Sequence, residues 1–276
     1  MPRKILSDAP PDVETPLAAA VTLRDSTTVA MVDEALRHGN VALAFQPVMQ
    51  AGAANRVAFY EGLIRIYDPT GRIIPARDFI LAVENRETGR NIDCAALQLG
   101  LAQLDQAPDL RLSVNLSARS IGYPRFMRIL RQGLMRDRTV GERLILEITE
   151  PSAMLVPELV TGFMADMRRH GISFAIDDFG SGATAFRHLR DCMFDILKID
   201  GQFTRGIAQS PDNQVVTEAI LSVARAMDML TVAEQVENAE DAAWLSRSGV
   251  DCLQGYFYAA PTIHPPWEDS ARRTGT

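Results

Sequence analysis

The sequence predicts an α/β fold, a (β/α)8 TIM-type barrel with an antiparallel first strand, from strand count, spacing and connections. Eight apolar, often β-branched runs recur along the 276 residues, and such runs are typical of buried strands. Every gap after the first is long enough for a helix, and eight such units in about 250 residues match this barrel. The predicted strands are 41–45, 57–62, 110–115, 143–147, 172–177, 194–198, 229–234 and 250–254.

The first connection is short. Only Gln46 to Arg56 separates the first two predicted strands, and Pro47 and Gly52 lie within it. A parallel pair needs a crossover of about a dozen residues, so we expect these two strands to be antiparallel. The alternative, an open doubly wound sheet, usually carries a glycine-rich phosphate turn after an early strand. No GxGxxG or GxxxxGK[ST] follows one here, which favours the barrel.

Helices are predicted from caps, breakers and apolar periodicity. The predicted helices are 28–38, two within 76–106, 120–138, 157–170, a short one between 178 and 193, 212–228 and 238–248. Ser26, Thr27 or Thr28 could cap the first. Leu159 on 157–170 and Val216 on 212–228 are among the positions expected to face the core.

The ends of the chain are predicted to lie outside the barrel. Residues 1–27 indicate a flexible leader, 28–265 the barrel domain and 266–276 a frayed tail. The leader holds no apolar segment suited to a signal peptide or membrane insertion. The three widely spaced cysteines form no disulfide framework, so a cytoplasmic protein is expected. The net charge of −7 argues against binding long nucleic acid through a basic face, but not against a small nucleotide held by metals.

Most of the predicted strands stop on ionisable or amide side chains. Since the carboxyl ends of parallel barrel strands meet at one rim, these side chains should converge. Carboxylates gathered there repel one another unless cations lie among them. The rim residues are Glu61, Asn115, Glu147, Asp177, Asp178, Lys198, Glu234 and Gln254.

The residue types at this rim favour hard divalent cations. No histidine ends a strand, which argues against a His/Cys zinc site and against Ser-His-Asp catalysis, whereas carboxylate and amide oxygens suit Mg²⁺ or Mn²⁺. Adjacent Asp177 and Asp178 could each take a different metal, and two metals can polarise a phosphoryl group and activate a water. Lys198 could orient that water or stabilise developing charge. Taken singly, each residue also has a structural explanation, such as a solvated strand end or an Asx turn.

The order of the motifs resembles that of the EAL-domain family. EGLIR at 61–65 is similar to its E-x-L-x-R signature. The other matches are QP at 46–47, NLS at 115–117, EITE at 147–150, DDFGSG at 177–182, KID at 198–200, EQVE at 234–237, QGY at 254–256 and a proline at 261. The resemblance covers about 40–265. It implies a bacterial phosphodiesterase that linearises cyclic di-GMP to pGpG with two Mg²⁺ or Mn²⁺ ions.

The resemblance also implies a role for each matching residue. One metal would be held by Glu61, Asn115, Glu147 and Asp177, and Asp177 would bridge to a second metal beside Asp178. Lys198 and Glu234 would position the attacking water. The implied substrate contacts are Gln46, Leu63, Arg65, Gln254 and Pro261. Glu150 would anchor the DDFGSG loop, which the family links to dimerisation, so a homodimer through the loop after Asp178 is expected.

A few departures from the family pattern spare the metal ligands. Gly62 replaces the signature alanine, and Gln235 replaces the glycine of E-G-V-E, which brings backbone strain if that position needs a positive φ. The loop reads SGATAF, and the segment after Arg65 lacks the common tryptophan. Two alternatives stay open. One is a binding module that holds cyclic di-GMP, or a partner protein, without hydrolysing the dinucleotide, and the other is a barrel acting on another phosphodiester.

Overall fold

A closed barrel of eight strands forms the centre of the molecule. The computed structural model describes residues 16–53, 56–180 and 192–268. The barrel strands are β1 (Val41–Gln50), β2 (Val57–Tyr67), β4 (Leu112–Asn115), β5 (Leu144–Thr149), β6 (Ser173–Phe179), β7 (Ile196–Ile199), β8 (Leu230–Ala233) and β9 (Cys252–Leu253), and a short β3 (Ile73–Pro75) lies beside β2.

Helices follow most of the strands. The α-helices are Pro16–His38, Ile80–Val83, Glu87–Gln106, Pro124–Arg136, Val140–Arg143, Glu150–Ala153, Pro157–Arg168, Gly201–Thr204, Pro211–Ala226 and Ala239–Ser248, with 3₁₀ turns at Ala76–Asp78, Ala118–Ser120 and Ile207–Gln209. The last long helix matches its prediction closely, because the Asn238 side chain accepts the Asp241 N–H at its start and Gly249 ends it at a φ of 86°. The short helix predicted between 178 and 193 lies mostly outside the described residues.

Strand directions follow the expectation from the first connection. Strand β1 is antiparallel to β2 and to β9, and its pairing with both closes the barrel. The remaining neighbours, from β2 through β4 to β9, are parallel. The prediction of a barrel with an antiparallel first strand is therefore confirmed.

The short strand β3 was missed in the sequence. It forms a hairpin with β2, and the Asp68 carboxylate closes the turn by accepting the N–H groups of Thr70 and Arg72. Gly71 follows with a φ of 83°. Three residues that end on a proline are too few for a period-two pattern, so only the turn chemistry could have indicated the strand.

The first helix is longer than predicted. It begins at Pro16 rather than near residue 28, and ends before Gly39, which has a φ of 70°. The hydroxyls of Ser26, Thr27 and Thr28 each donate to a backbone carbonyl three or four residues earlier. That is a bond of the helix interior rather than of a cap. Residues 1–15 of the expected leader lie outside the described part of the chain.

On each of two helices, one position predicted to face the core is exposed instead. Leu159 is 45% exposed and Val216 is 39% exposed, so both inward assignments are wrong. The buried positions are Val160, Phe163, Met164 and Met167 on the first helix and Thr217, Ile220, Leu221 and Ala224 on the second. Neighbouring apolar residues fit the same broad stripe, and the crossing of helix over strands decides which of them lies at its centre.

The interior of the barrel is built in layers of alternating side chains. A cluster of buried apolar residues fills it at one level, formed by Val48, Phe59, Ile145, Ala175, Ile196, Val232 and Cys252. Side chains two positions apart on a strand point to the same face. Each of the last six residues of this cluster is followed, two positions later along its strand, by a residue of the polar rim. In the same order, these rim residues are Glu61, Glu147, Asp177, Lys198, Glu234 and Gln254. The polar rim is therefore the next interior layer, resting on an apolar floor.

The predicted frayed tail is wrong for its first residues. Trp267 packs edge-on against Phe45 at 5.0 Å and Tyr60 at 4.8 Å between ring centroids. Its indole Nε1 donates to Gln103 Oε1 at 2.8 Å. An aromatic anchor with a satisfied N–H ties the end of the described chain to β1, β2 and a helix. Residues 269–276 lie outside the described ranges.

Replacing Trp267 by alanine should destabilise the fold by about 2–3 kcal/mol, because it removes two ring contacts and a hydrogen bond. Urea unfolding followed by circular dichroism measures this. His264→Ala, at an exposed position nearby, is the matched control and should shift stability by no more than about 0.5 kcal/mol. An unchanged unfolding midpoint for Trp267→Ala would contradict the anchoring role.

Candidate metal-binding active site

Lys198 lies at the centre of the rim and is fully buried. Its Nζ is 2.7 Å from Glu147 Oε2, 2.8 Å from Glu234 Oε1 and 2.9 Å from Asp177 Oδ1. A fourth carboxylate, Glu61, lies at 3.3 Å. The carboxylates come from four different strands, so this single ammonium group joins opposite sides of the barrel.

Amide side chains hold Glu61 from two directions. Gln254 Nε2 donates to Glu61 Oε2 at 2.6 Å, and Asn115 Nδ2 donates to Oε1 at 3.1 Å. Gln254 Nε2 also reaches Gln46 Oε1 at 3.2 Å, and Gln46 is the β1 partner of Glu61 in the antiparallel register. The short first connection thus brings the predicted Gln46 into the same buried network.

Asp177 and Asp178 both reach the site because strand β6 is irregular at this point. Consecutive strand residues normally face opposite sides. Here the pairing register with β7 shifts between Ile176 and Phe179, and Asp178 adopts a φ of 53°. Carboxylate oxygens of Asp177, Asp178 and Glu234 consequently lie within 4.8 Å of one another. Positive φ is uncommon for aspartate and concentrates at functional sites.

Burial and mutual repulsion favour the protonated forms of several rim carboxylates. Burial raises the pKa of Glu147 to about 8 despite the nearby Lys198 charge. Burial, together with the charge of Asp177, raises the pKa of Asp178 to about 7. Burial also raises the pKa of Glu234 well above its ordinary value. The site therefore retains protons that a bound cation would displace.

The pKa values of Glu61 and Lys198 shift in the direction that favours the charged form, unlike those of Glu147, Asp178 and Glu234. Burial acts to raise the pKa of Glu61, but the Lys198 charge and the hydrogen bonds from Gln254 and Asn115 outweigh it, so the pKa is lowered. Burial acts to lower the pKa of Lys198, and the surrounding carboxylates, Asp177 and Glu147 foremost, raise it well above its ordinary value. The rim thus contains one firmly ionised carboxylate and one firmly protonated amine.

The donor set fits divalent cations. Glu147 Oε1 is buried and has no hydrogen-bond partner, which is an orphaned acceptor of the kind a cation would satisfy. If all are ionised, the five carboxylates and the single ammonium leave a formal charge of −4, which two divalent ions would balance. Oxygen ligands without histidine or cysteine suit Mg²⁺ or Mn²⁺ rather than zinc. Among the described residues, this is where three acidic groups could together hold a metal.

A cavity of about 590 Å³ opens beside the rim. The residues predicted to contact substrate all line it: Gln46, Leu63, Arg65, Gln254 and Pro261. The half-buried Arg65 is held by its own strand, since Nη1 donates to Ile64 O at 2.9 Å. Arg77, Arg205 and Tyr256 line the same cavity and were not predicted. They lie on turns and loops, where no periodic pattern singles out one residue.

A second cavity of about 620 Å³ adjoins the first. It shares Glu61, Leu63 and Asp178 with the first, so the two form one groove across the rim. Its lining includes Asp93, a buried carboxylate that accepts the Ser117 N–H at 3.1 Å and the Ser120 hydroxyl at 2.6 Å. Asp93 was not predicted, because it lies inside a helix, where a polar residue usually faces solvent.

Glu150 contacts the start of the DDFGSG segment. Its carboxylate is buried in the turn after β5, and Oε2 accepts the Gly180 N–H at 2.7 Å. Residues 181–191, including Phe186 and the rest of that loop, lie outside the described residues. The homodimer expected through this loop therefore stays a prediction.

The fold and the carboxylate rim are those of a known class of barrel domain. The family model described as "EAL domain" matches residues 29–261. The match covers most of the chain, so the chain belongs to the EAL domain family. Within the described residues, no helix has the length and apolar character needed to cross a membrane.

Several curated proteins are similar to this chain. It is 30% identical over 234 residues to cyclic di-GMP phosphodiesterase PdeB of Shewanella oneidensis, covering 83% of this chain and 27% of that protein. It is 29% identical over 264 residues to cyclic di-GMP phosphodiesterase PdeF of Escherichia coli, covering 93% of this chain and 35% of that protein. The chain thus spans about a quarter to a third of the length of these relatives.

Solved structures share the fold over almost their whole length. The Xanthomonas citri FimX EAL domain in complex with c-di-GMP has a TM-score of 0.77 at 26% identity, covering 90% of this chain and 98% of that one. The c-di-GMP complex of the PaMucR phosphodiesterase has a TM-score of 0.76 at 26% identity, covering 88% and 99%.

Binding of Mn²⁺ should strengthen as the pH rises from about 6 to about 8.5 and should release protons, because ligands with a raised pKa must ionise to bind a cation. The groups concerned are Glu147, with a pKa of about 8, and Asp178, with a pKa of about 7. Calorimetry in two buffers of different ionisation enthalpy counts the protons. The Asp178→Asn variant should release fewer protons than the wild type when it binds Mn²⁺. Affinity independent of pH, with no proton release, would show that the rim does not hold the metal.

Proposed function

We propose that this chain hydrolyses cyclic di-GMP to linear pGpG with two Mg²⁺ or Mn²⁺ ions. The observation that carries the proposal is the buried rim, beside the groove, in which Lys198 contacts four carboxylates. Two further facts support it. Relatives of this chain carry the name cyclic di-GMP phosphodiesterase, and structures that share its fold hold c-di-GMP.

The metals would be held by oxygen atoms at the strand ends. Glu61, Asn115, Glu147 and Asp177 would hold the first ion, and Asp177 would be shared with a second ion beside Asp178. Asn115 uses its Nδ2 on Glu61, which leaves its amide oxygen available. When bound, two such ions would polarise a phosphoryl oxygen and lower the pKa of a bound water.

The chain itself would orient the water and stabilise charge. The carboxylates keep Lys198 protonated, so its ammonium group is preorganised to favour negative charge developing on the phosphoryl group. Glu234 Oε1 accepts from Lys198 and also lines the groove. The two side chains would therefore orient the attacking water from the side of the cavity.

The groove has room and charge for a dinucleotide. Its two adjoining parts meet at Glu61, Leu63 and Asp178, so the phosphodiester to be cleaved would lie at the rim with one nucleotide on either side. Arg65 would contact a phosphate, and Gln46 and Pro261 would contact the nucleotide on its side. Arginine suits phosphate through its planar, multiple donors.

The second candidate function is a cyclic di-GMP receptor with weak or no turnover. One observation favours it: Gln235, directly after Glu234, has a φ of 52°. Strain beside a water-positioning residue could misplace it, and about 1 Å of displacement can cost a hundredfold in rate. A receptor would bind the dinucleotide in the same groove and leave it intact.

A homodimer and a cytoplasmic location belong to the same proposal. The buried Glu150–Gly180 hydrogen bond supports a link between the rim and the loop after Asp178, since Gly180 follows the two aspartates. The location follows from the proposed substrate, a second messenger made inside bacteria.

Incubation of the purified chain with cyclic di-GMP and Mg²⁺ or Mn²⁺, followed by chromatography, should yield pGpG. Ca²⁺ should inhibit, because its longer and looser coordination does not suit a tight two-metal phosphoryl site. Cyclic di-GMP that is bound but returned intact with either metal would support the receptor instead. Equal turnover in EDTA would exclude the metal mechanism. Sedimentation of the same sample with and without ligand tests the dimer.

Asp177→Ala and Lys198→Ala should fail in different ways. Loss of Asp177 should weaken Mn²⁺ binding, because a shared ligand is removed. Loss of Lys198 should leave metal and ligand affinity within severalfold but lower turnover by about a hundredfold or more, because its stabilisation is needed in the transition state.

Calorimetry and single-turnover kinetics on both variants measure these effects, with circular dichroism to check the fold. Glu218→Ala, at an exposed position on the helix Pro211–Ala226, serves as the control and should retain full activity. Near-normal turnover in Lys198→Ala would show that its assigned role is wrong.

A further inference from the structure

Gln235 is held in a conformation that suits glycine rather than glutamine. Its φ is 52°, in the left-handed region, which costs a residue with a Cβ about 1 kcal/mol or more. Both flanking residues are fixed: the Thr204 hydroxyl donates to the Glu234 carbonyl, and the Val236 N–H donates to the Gln254 carbonyl at 2.9 Å. The fixed neighbours therefore impose the strained conformation on Gln235. A role for its side chain would explain why a glutamine occupies this position.

The Gln235 side chain holds an arginine. Its Oε1 accepts from Arg205 Nη2, and Glu237 Oε1 lies 3.5 Å from Arg205 Nε. The glutamine rests on Gly201, where any Cβ would collide with it. No described residue accepts a hydrogen bond from Arg205 Nη1. The Arg205 guanidinium is therefore oriented by two acceptors and keeps free donors.

These three side chains lie at the mouth of the proposed ligand groove. Arg205, Gln235 and Glu237 line the same cavity as Glu234 and Arg65. The Arg205 and Glu237 side chains are 58% and 48% exposed, so both remain accessible to a ligand. An arginine that is oriented inside a groove but not buried by protein is placed to contact what enters it.

The chemistry of this group matches a guanine base. Guanine presents O6 and N7 as acceptors, for which arginine is the usual partner. Its N1–H and N2–H groups donate on the neighbouring edge, where a carboxylate such as Glu237 can accept. Adenine carries an amino donor in place of O6, so the same arginine donors would meet a donor.

We propose that Arg205, oriented by Gln235 and set beside Glu237, is a specificity-determining residue that reads a guanine of the ligand. The inference rests on the proposed ligand and adds to it a residue outside the motifs of the sequence. Because the contact is to a base remote from the reacting phosphate, it should act on binding and leave the chemical step unchanged.

The test compares cyclic di-GMP with cyclic di-AMP. Binding is measured by calorimetry on the full chain with Ca²⁺ in place of Mg²⁺, and chromatography confirms that the ligand stays intact. The wild type should prefer the guanine ligand. Arg205→Met should lose about tenfold or more in affinity for it, with little change for the adenine ligand, and in Mg²⁺ should raise KM without lowering kcat.

Three further variants separate the explanations. Arg205→Lys keeps the charge but loses the planar fork, so it should behave like Arg205→Met. Gln235→Gly should lose part of the preference for the guanine ligand, because the glutamine no longer orients Arg205. It should also unfold at a higher temperature, because glycine adopts the positive φ without strain. Arg247→Met, an exposed arginine in the last turn of the helix before β9, should match the wild type.

The possible results test base reading by Arg205 separately from the proposed hydrolysis. Full affinity in Arg205→Lys would identify a charge contact to phosphate and overturn base reading. An unchanged preference in Arg205→Met, or a wild type without any preference, would also overturn it. If the wild type binds cyclic di-GMP selectively but does not hydrolyse it, the phosphodiesterase proposal is wrong. In that case, base reading by Arg205 would still hold if Arg205→Met lost the preference for the guanine ligand.

Discussion

The buried ammonium group of Lys198 is the interaction on which the rest of the site depends. Removing several carboxylates from water is costly, and their mutual repulsion adds to the cost unless cations lie between them. Lys198 contacts four of them within 3.3 Å, and so allows carboxylates from four strands to meet. Its single charge offsets only part of theirs. Burial, together with the repulsion that remains, raises the pKa of Glu147 to about 8 and that of Asp178 to about 7. The same imbalance that makes the rim costly in the absence of metal makes it a receptive site for divalent cations.

The barrel supplies this rim through its layered interior. Strand alternation sends every second side chain inward, so an apolar layer that includes Ile145 and Ile196 lies directly below the polar layer that includes Glu147 and Lys198. The floor excludes water from beneath the charged groups, which strengthens their interactions. Antiparallel strand β1 completes the ring and brings Gln46 beside Glu61. The apolar floor and the polar rim are thus successive interior layers built by the same strands.

Local departures from regular backbone add what the regular barrel cannot provide. The irregularity at Asp178 brings two consecutive carboxylates to one side of β6, and the left-handed Gln235 aims its amide at Arg205. Both lie next to residues proposed for metal or water positioning. Strained conformations persist where neighbours over-determine them, and they concentrate where chemistry or recognition benefits. The amide and guanidinium at the mouth of the groove therefore differ from the rim in their proposed roles: the rim is proposed to carry the reaction, and the mouth to select the base.

The sequence by itself determined the eight strands of the barrel, the antiparallel first pair and the convergence of the rim residues. Those features follow from short-range patterns: apolar runs, connector lengths and the polar residue that ends each strand. The tertiary structure alone decided the start of the first helix at Pro16, the anchoring of Trp267, and the rotation that exposes Leu159 and Val216. It also decided the placement of Asp93 and Arg205 in the groove. Side chains on helices and loops have no pattern that states their neighbours, because packing between distant segments chooses which face is covered and which loop reaches the site.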